Sequence, residues 1–235
     1  RGRGIGTALI RTAEPRILER AMAEVAPELP IYINRAVGEL DPTGGALLES
    51  EGYHHIRTFY TMQIDFDGPI TRDPLPEGLE LRPFDEALHG RAVYDADMEA
   101  FADHWGFVPS PFEDWAHYMI KSPLYDPTAW LIAWDGDQIA GLALNRAFGE
   151  GDPEQGYVHI LAVRRPWRRR GLGAALLQQT FALYQGRGYK RVSLGVDASS
   201  KTNAVALYER VGMRVTERRL AYRKILRGTQ TDIKD

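Results

Sequence analysis

One short pattern occurs twice in this chain, and it limits the folds open to it. Residues 164–170 hold five arginines interrupted only by Pro166 and Trp167, and Gly171 and Gly173 follow at once. Ahead of the run, residues 157–163 are apolar and β-branched, as a buried strand requires. Behind it, Leu172, Ala175, Leu176, Gln179 and Leu183 recur at helical spacing on a largely apolar face. The stretch reads as a strand, a basic glycine turn and a helix. The chain opens on the same spacing: Arg1-x-x-Gly4-x-Gly6 matches Arg168-x-x-Gly171-x-Gly173. An internal repeat of this kind makes the chain a tandem of related units.

The turn has a chemical consequence. The first N–H groups of a helix lack internal partners, and the helix dipole adds partial positive charge there. Glycines let a ligand approach the backbone, so Arg168, Arg169, Arg170, Gly171, Leu172, Gly173 and Ala174 form a candidate anion cradle, with phosphate the usual guest. A tight turn under a solvated basic loop is the competing reading. The Gly-Lys-Ser/Thr ending of a Walker loop is missing, and so is the third glycine of a dinucleotide fingerprint. Downstream, Asn203-Ala204-Val205-Ala206-Leu207-Tyr208-Glu209-Arg210-Val211-Gly212-Met213 forms a second motif, and residues 46–53 repeat its close with Leu48 in place of Tyr208 and Gly52 in place of Gly212.

The pair of motifs resembles the GNAT superfamily of N-acetyltransferases, with its acyl-CoA signature Arg/Gln-x-x-Gly-x-Gly/Ala and its later Asn-x-x-Ala-x-x-Leu-Tyr-x-x-x-Gly-Phe segment. The tandem resembles mycothiol synthase-like actinobacterial acetyltransferases. The resemblance implies an α/β fold on a mixed sheet: residues 1–66 as the back half of a first, degenerate GNAT domain, 67–77 as a linker, 78–226 as a complete GNAT domain and 227–235 as a tail. The front half of the first copy is expected upstream of Arg1. Within 78–226 the pattern predicts β-α-α-β-β-β-α-β-α-β-β, closing in a hairpin over 213–226, with the apolar pattern fading from Lys224.

The resemblance also implies direct transfer of an acetyl group from acetyl-CoA to an amine. Main-chain groups of Leu161, Ala162 and Val163 are expected along the pantetheine arm, and the glycine turn around the pyrophosphate. Tyr208 is expected to protonate the leaving thiolate; a core aromatic beside Leu207 and Val211 is the alternative. Asn203 either touches CoA or caps its helix. His159 lies in a His-Ile-Leu-Ala-Val run similar to a strand of arylalkylamine N-acetyltransferases whose histidines act as bases through water. Simple alternation puts it on one face with Tyr157 and Leu161, and an imidazole of ordinary pKa suits the role. Asp103, His104 and Trp105 are expected either in the acceptor wall or in helix packing.

Composition narrows the rest. The net charge of −3 gives no global pull toward nucleic acid or an anionic membrane. The absence of cysteine excludes disulfides, thiolate metal sites and a cysteine nucleophile. The histidines show no metal-ligand spacing. No signal peptide or long apolar run is present, which favours a cytoplasmic protein. The resemblance implies a small-molecule amine acceptor and no metal, in a monomer or a homodimer. A non-catalytic CoA-binding module and a protein N-acetyltransferase are the alternatives.

Overall fold

The computed structural model describes residues 2–147 and 152–233, so Arg1 of the first motif and the last two residues of the expected tail lie outside the described residues. The chain packs as two compact units. One holds residues 1–60, 197–199 and 217–235, the other 61–196 and 200–216. These units cut the chain differently from the segments 1–66 and 78–226.

In the first unit, helix α1 (Ile5–Glu24), strand β1 (Ile31–Gly38) and helix α2 (Pro42–Ser50) lead into strand β2 (His54–Asp65). Ile33, Leu48, Tyr53 and Tyr222 form its buried core. The closing hairpin expected over 213–226 is absent. Residues Arg214–Arg227 make one strand, β8, and β1 pairs with it antiparallel from Ile31↔Arg227 to Gly38↔Arg219. The reason is local: 214–227 holds no Gly, Pro, Asn or Asp to turn the chain. Lys224, where fraying was expected, sits opposite Ile33 and donates through Nζ to Glu14 at 2.6 Å.

The second unit runs β3 (Glu80–Arg82), α3 (Glu86–Phe101), α4 (Phe112–Met119), β4 (Leu131–Asp135), β5 (Gln138–Ala147), β6 (Gln155–Val163), α5 (Leu172–Gly186), β7 (Arg191–Asp197) and α6 (Ala204–Arg210). Its five whole strands lie in the order β7-β6-β5-β4-β3, with β6–β7 parallel and the other pairs antiparallel. The Asp-Gly-Asp turn joins β4 to β5 as expected, with Gly136 at φ 54. Asp85 starts α3 by accepting from Leu88 N–H at 3.0 Å. Each sheet face is covered. Leu142, Leu144 and Ala162 pack under α3 and α4, while Ala140, Ala143, Leu161 and Val163 pack under Leu172 and Leu176 of α5.

The repeat holds at the level of atoms. Gly4 and Gly171 both cap a helix in the left-handed region, at φ 70 and 87. A Cβ on Gly6 would meet Leu47 at 2.7 Å, and one on Gly173 would meet Leu207 at 3.2 Å. Gly52 and Gly212 end α2 and α6 at φ 83 and 91. Leu48 and Tyr208 are both buried, each with its carbonyl accepting an N–H at 3.0 Å, from Tyr53 and Met213.

The Pro- and Gly-rich stretch after Asp67 has no regular structure, yet it lies along α5. Gln185 donates to the Gly68 carbonyl at 2.7 Å and accepts from Ile70 N–H at 3.1 Å, while Gln178 accepts from Asp73 N–H at 2.8 Å. Leu75 packs on the apolar cluster beneath.

Between α3 and α4 lies a buried carboxylate. Asp97 is 2% exposed; Oδ2 accepts from Trp115 Nε1 at 2.9 Å, and Oδ1 has no partner. Burial pushes its pKa up to about 6 against the indole hydrogen bond. The native state therefore keeps a proton that the unfolded chain releases above about 3.9, so Asp97 lowers stability as pH rises through that window to about 6. Asp97→Asn keeps an acceptor for the indole. Thermal melts from pH 4 to 7 are expected to show the variant gaining on the wild type across that window and melting higher at pH 7.

Candidate active site

The site begins with one residue too many in β6. The register of β5 and β6 runs Leu144↔Ile160 and then Asn145↔Val158, so His159 has no partner and forms a bulge. A bulge bends its strand and increases the local twist. The parallel pairing of β6 with β7 ends at the same place, at Val158↔Leu194. Beyond it the two strands separate, and β6 is left with one free edge. Arg164 N–H donates to the Ala140 carbonyl at 3.0 Å. By alternation the N–H of Ala162 turns toward β5, and those of Leu161 and Val163 turn toward the gap. Of the three main chains expected to line an extended ligand, two therefore face the opening.

The bulge also breaks the expected alternation. Tyr157 and His159 share a face, their ring centroids 6.2 Å apart, but Leu161 packs with Leu172 and Leu176 under α5. The extra residue reverses the parity of everything after it.

The arginine run reaches α5 through a 3-10 turn, Arg165–Trp167. Most of its charge is tied inward. Arg164 meets Glu99 at 2.7 Å and lies over the Trp167 ring, whose Nε1 donates to Asp135 at 2.8 Å. Arg165 grips Asp103 through two nitrogens, and that hydrogen bond, with the guanidinium charge, holds the carboxyl below its usual range. Arg168, expected at the anion, donates to the carbonyls of Val163 at 3.0 Å and Ala100 at 3.2 Å. Arg170 donates to the Glu77 carbonyl at 3.2 Å. Arg169 alone in the run has no partner among the described residues; it is exposed and stands at φ 62. Gly171 follows in the left-handed region. Its carbonyl accepts from Ala175 at 3.1 Å, so the N–H groups of Leu172, Gly173 and Ala174 lie ahead of the helical ladder. What the expected anion cradle offers is thus main chain plus the guanidinium of Arg169.

Tyr208 lies on α6 and is 8% exposed. Burial alone pushes its pKa up to about 12. Asn203 precedes it at φ 56; its side chain makes no capping hydrogen bond, so it serves α6 by adopting the left-handed conformation.

On the α3–α4 face, His159 opens into a cleft of about 230 Å³, counting the solvent at its mouth. Tyr118, Ser122, Tyr125, Trp130 and Arg146 line it with His159. The Tyr118 ring is 5.7 Å from the imidazole. Burial first, and the Arg146 charge second, lower the pKa of His159 to about 4. The ring is neutral at physiological pH, but it is a far weaker base than its residue type implied. Asp103, His104 and Trp105 do not line this cleft. Asp103 is committed to Arg165, and the His104 ring lies tilted against Phe101 with centroids 4.2 Å apart. Sequence reasoning missed Tyr118, Tyr125 and Arg146; only their spacing from the motifs on a known sheet order could have revealed them. Among the described residues no group of acidic, histidine or cysteine side chains could hold a metal ion, and no helix is long and apolar enough to cross a membrane.

A bulged, splayed strand followed by a glycine-capped helix agrees with what comparison finds. Residues 91–213 match the model of the Acetyltransferase (GNAT) family. The mycothiol acetyltransferases of Geodermatophilus obscurus and Salinispora arenicola are each 32% identical, over 90% of this chain and over 66% and 69% of their own lengths. The chain therefore spans about two thirds of the curated relatives it matches. A GCN5-related N-acetyltransferase from Sphaerobacter thermophilus superposes with a TM-score of 0.84 at 36% identity, covering 97% of this chain and 70% of that one. A tandem GNAT protein from the clavulanic acid pathway shares the fold, with a TM-score of 0.71 at 17% identity over 98% of this chain and 72% of its own. The chain belongs to the GNAT acetyltransferase family.

Proposed function

We propose that the second unit transfers an acetyl group from acetyl-CoA to the primary amine of a small molecule. The observation that carries this reading is the opening between β6 and β7 at His159, which leads from unpaired strand edge to the glycine-capped start of α5. An extended pantetheine amide fits a free strand edge, and a pyrophosphate fits a helix start with glycines and a free arginine. Arg169, Gly171, Leu172, Gly173 and Ala174 would hold the pyrophosphate. Arg168 would shape the turn from behind rather than touch the phosphates. N–H groups of Leu161 or Val163 would polarise the thioester carbonyl.

In the reaction the amine nitrogen attacks the thioester carbon, the C–S bond breaks, and amide and CoA form. The amine sheds one proton and the thiolate takes one. Tyr208 would serve the second step. A phenol near 12 is a weaker acid than a thiol of ~8.5 by ~3.5 units, so Tyr208 would donate a hydrogen bond as negative charge gathers on sulfur, and the proton that the thiolate takes would be the one the amine has shed. His159, neutral and buried, would accept from the attacking amine, directly or through water. In the first unit Leu48 stands where Tyr208 stands and has no proton to give, so we assign that unit a scaffold role. Residues 1–66 are then the back half of one copy, and 78–226 the whole of a second copy, of one ancestral module. We place the protein in the cytoplasm.

Calorimetric titration of acetyl-CoA tests the reading. The wild type is expected to bind, and Gly173→Trp and Arg169→Glu to bind weakly or not at all, the exposed Arg169→Glu with a melting temperature near wild type. Full binding by both variants would move CoA elsewhere, and no binding by the wild type would end the enzyme reading. Tyr208→Phe is expected to lower kcat by ~10²-fold with acetyl-CoA affinity held; equal turnover would return Tyr208 to the core. A histidine that titrates near 4 stops accepting protons only below that pH. The acid limb of kcat/KM is therefore expected near 4, rather than near 6.5, and is expected to vanish in His159→Gln.

A further inference from the structure

Arg146 differs from most of the ion-paired arginines of the second unit in what it meets. Arg164, Arg165, Arg187, Arg191 and Arg214 each meet a carboxylate. Arg146 meets none among the described residues, although it is half-buried and lines the cleft at His159. Its backbone is fixed: it pairs with Tyr157 in the β5–β6 ladder and with Tyr125 through an isolated bridge, and its carbonyl accepts from the Tyr184 hydroxyl at 2.9 Å. Its guanidinium lies 5.5 Å over the Tyr157 ring. That contact orients the cation and leaves its hydrogen-bond donors unspent.

A partly desolvated guanidinium without a counter-ion is costly to keep. It also sets a condition on whatever enters the cleft. An acceptor amine must approach His159, and an ammonium group arriving beside Arg146 is repelled. An acceptor that brings its own anion reverses that sign, and a guanidinium fork takes a carboxylate by two parallel hydrogen bonds. Tyr118 and Tyr125 line the same cleft and supply aromatic surface to the rest of such an acceptor.

We infer that Arg146 holds the acceptor by a carboxylate, so that the substrate of this site is an amine carrying a carboxylate a few bonds from its nitrogen. The inference rests on the acyl-transfer reading for the word acceptor, but the anion site itself can be tested without turnover.

The probes are 4-hydroxyphenylacetate and its neutral counterpart 4-hydroxyphenylacetamide, with binding read from the His159 ring resonance at pH 7, assigned through His159→Gln. The wild type is expected to bind the carboxylate about tenfold more tightly or better, the scale of one charge-assisted hydrogen bond. Arg146→Met is expected to erase the difference, and Arg146→Lys to keep part of it, which separates loss of charge from loss of fold. Equal affinity for the two probes, binding of neither, or a preference that survives in Arg146→Met overturns the inference. With acetyl-CoA present, kcat/KM for tyrosine is expected to exceed that for tyramine in the wild type, and the ratio to collapse in Arg146→Met. Should the carboxylate preference be found while acetyl-CoA fails to bind, the anion site stands and the acyl-transfer reading falls.

Discussion

The geometry of the second unit depends on a single unpaired residue. Because His159 has no partner on β5, β6 cannot remain in step with both of its neighbours. The antiparallel ladder with β5 recovers beyond the bulge, and the parallel ladder with β7 does not. A sheet interior is ordinarily closed to ligands because its backbone groups are spent on one another. Here one strand keeps a free edge inside the sheet, with covered faces above and below. The same bulge turns His159 toward α4 and Leu161 toward α5, so the residue that makes the opening also lines it.

The arginine loop shows how charge is used to shape a backbone. Glu99, Asp103, Asp135 and the carbonyls of Ala100 and Val163 absorb the polar groups of Arg164, Arg165, Trp167 and Arg168. These bonds are partly exposed, and each is worth little alone. Together they fix the path of the loop as it enters the left-handed pair Arg169 and Gly171 and delivers the helix start. The run looks in sequence like a positive patch, but in space it is a folded strut with one cation left over.

Much of this was legible from the chain. The two glycine turns, the repeat, the β4–β5 hairpin and the burial of the Leu48 and Tyr208 positions follow from local rules that need only a few neighbouring residues. What could not be read has long-range causes. Nothing in His-Ile-Leu-Ala-Val marks a bulge, since the missing partner lies on β5. The protein partners of Arg168 and Asp103 were hidden because other elements of the fold contribute them. The closing hairpin was inferred from fold order, whereas 214–227 itself contains no turn residue, and β1 extends the pairing of a long straight strand. Arg146 carried no signal because a cation that meets no carboxylate among the described residues is recognisable only in three dimensions.

The stretch after Asp67 has the composition of a spacer, yet its backbone is served by the glutamines of α5. Those glutamines are therefore not free surface, and α5 has no idle face: one side packs on the sheet, and part of the rest carries a strap of chain. A cut made where composition suggests, between 67 and 77, would leave Gln178 and Gln185 without partners and uncover the apolar cluster under Leu75. A fragment of the second unit that keeps these contacts has to begin ahead of the strap, near Thr61, where the unit itself begins.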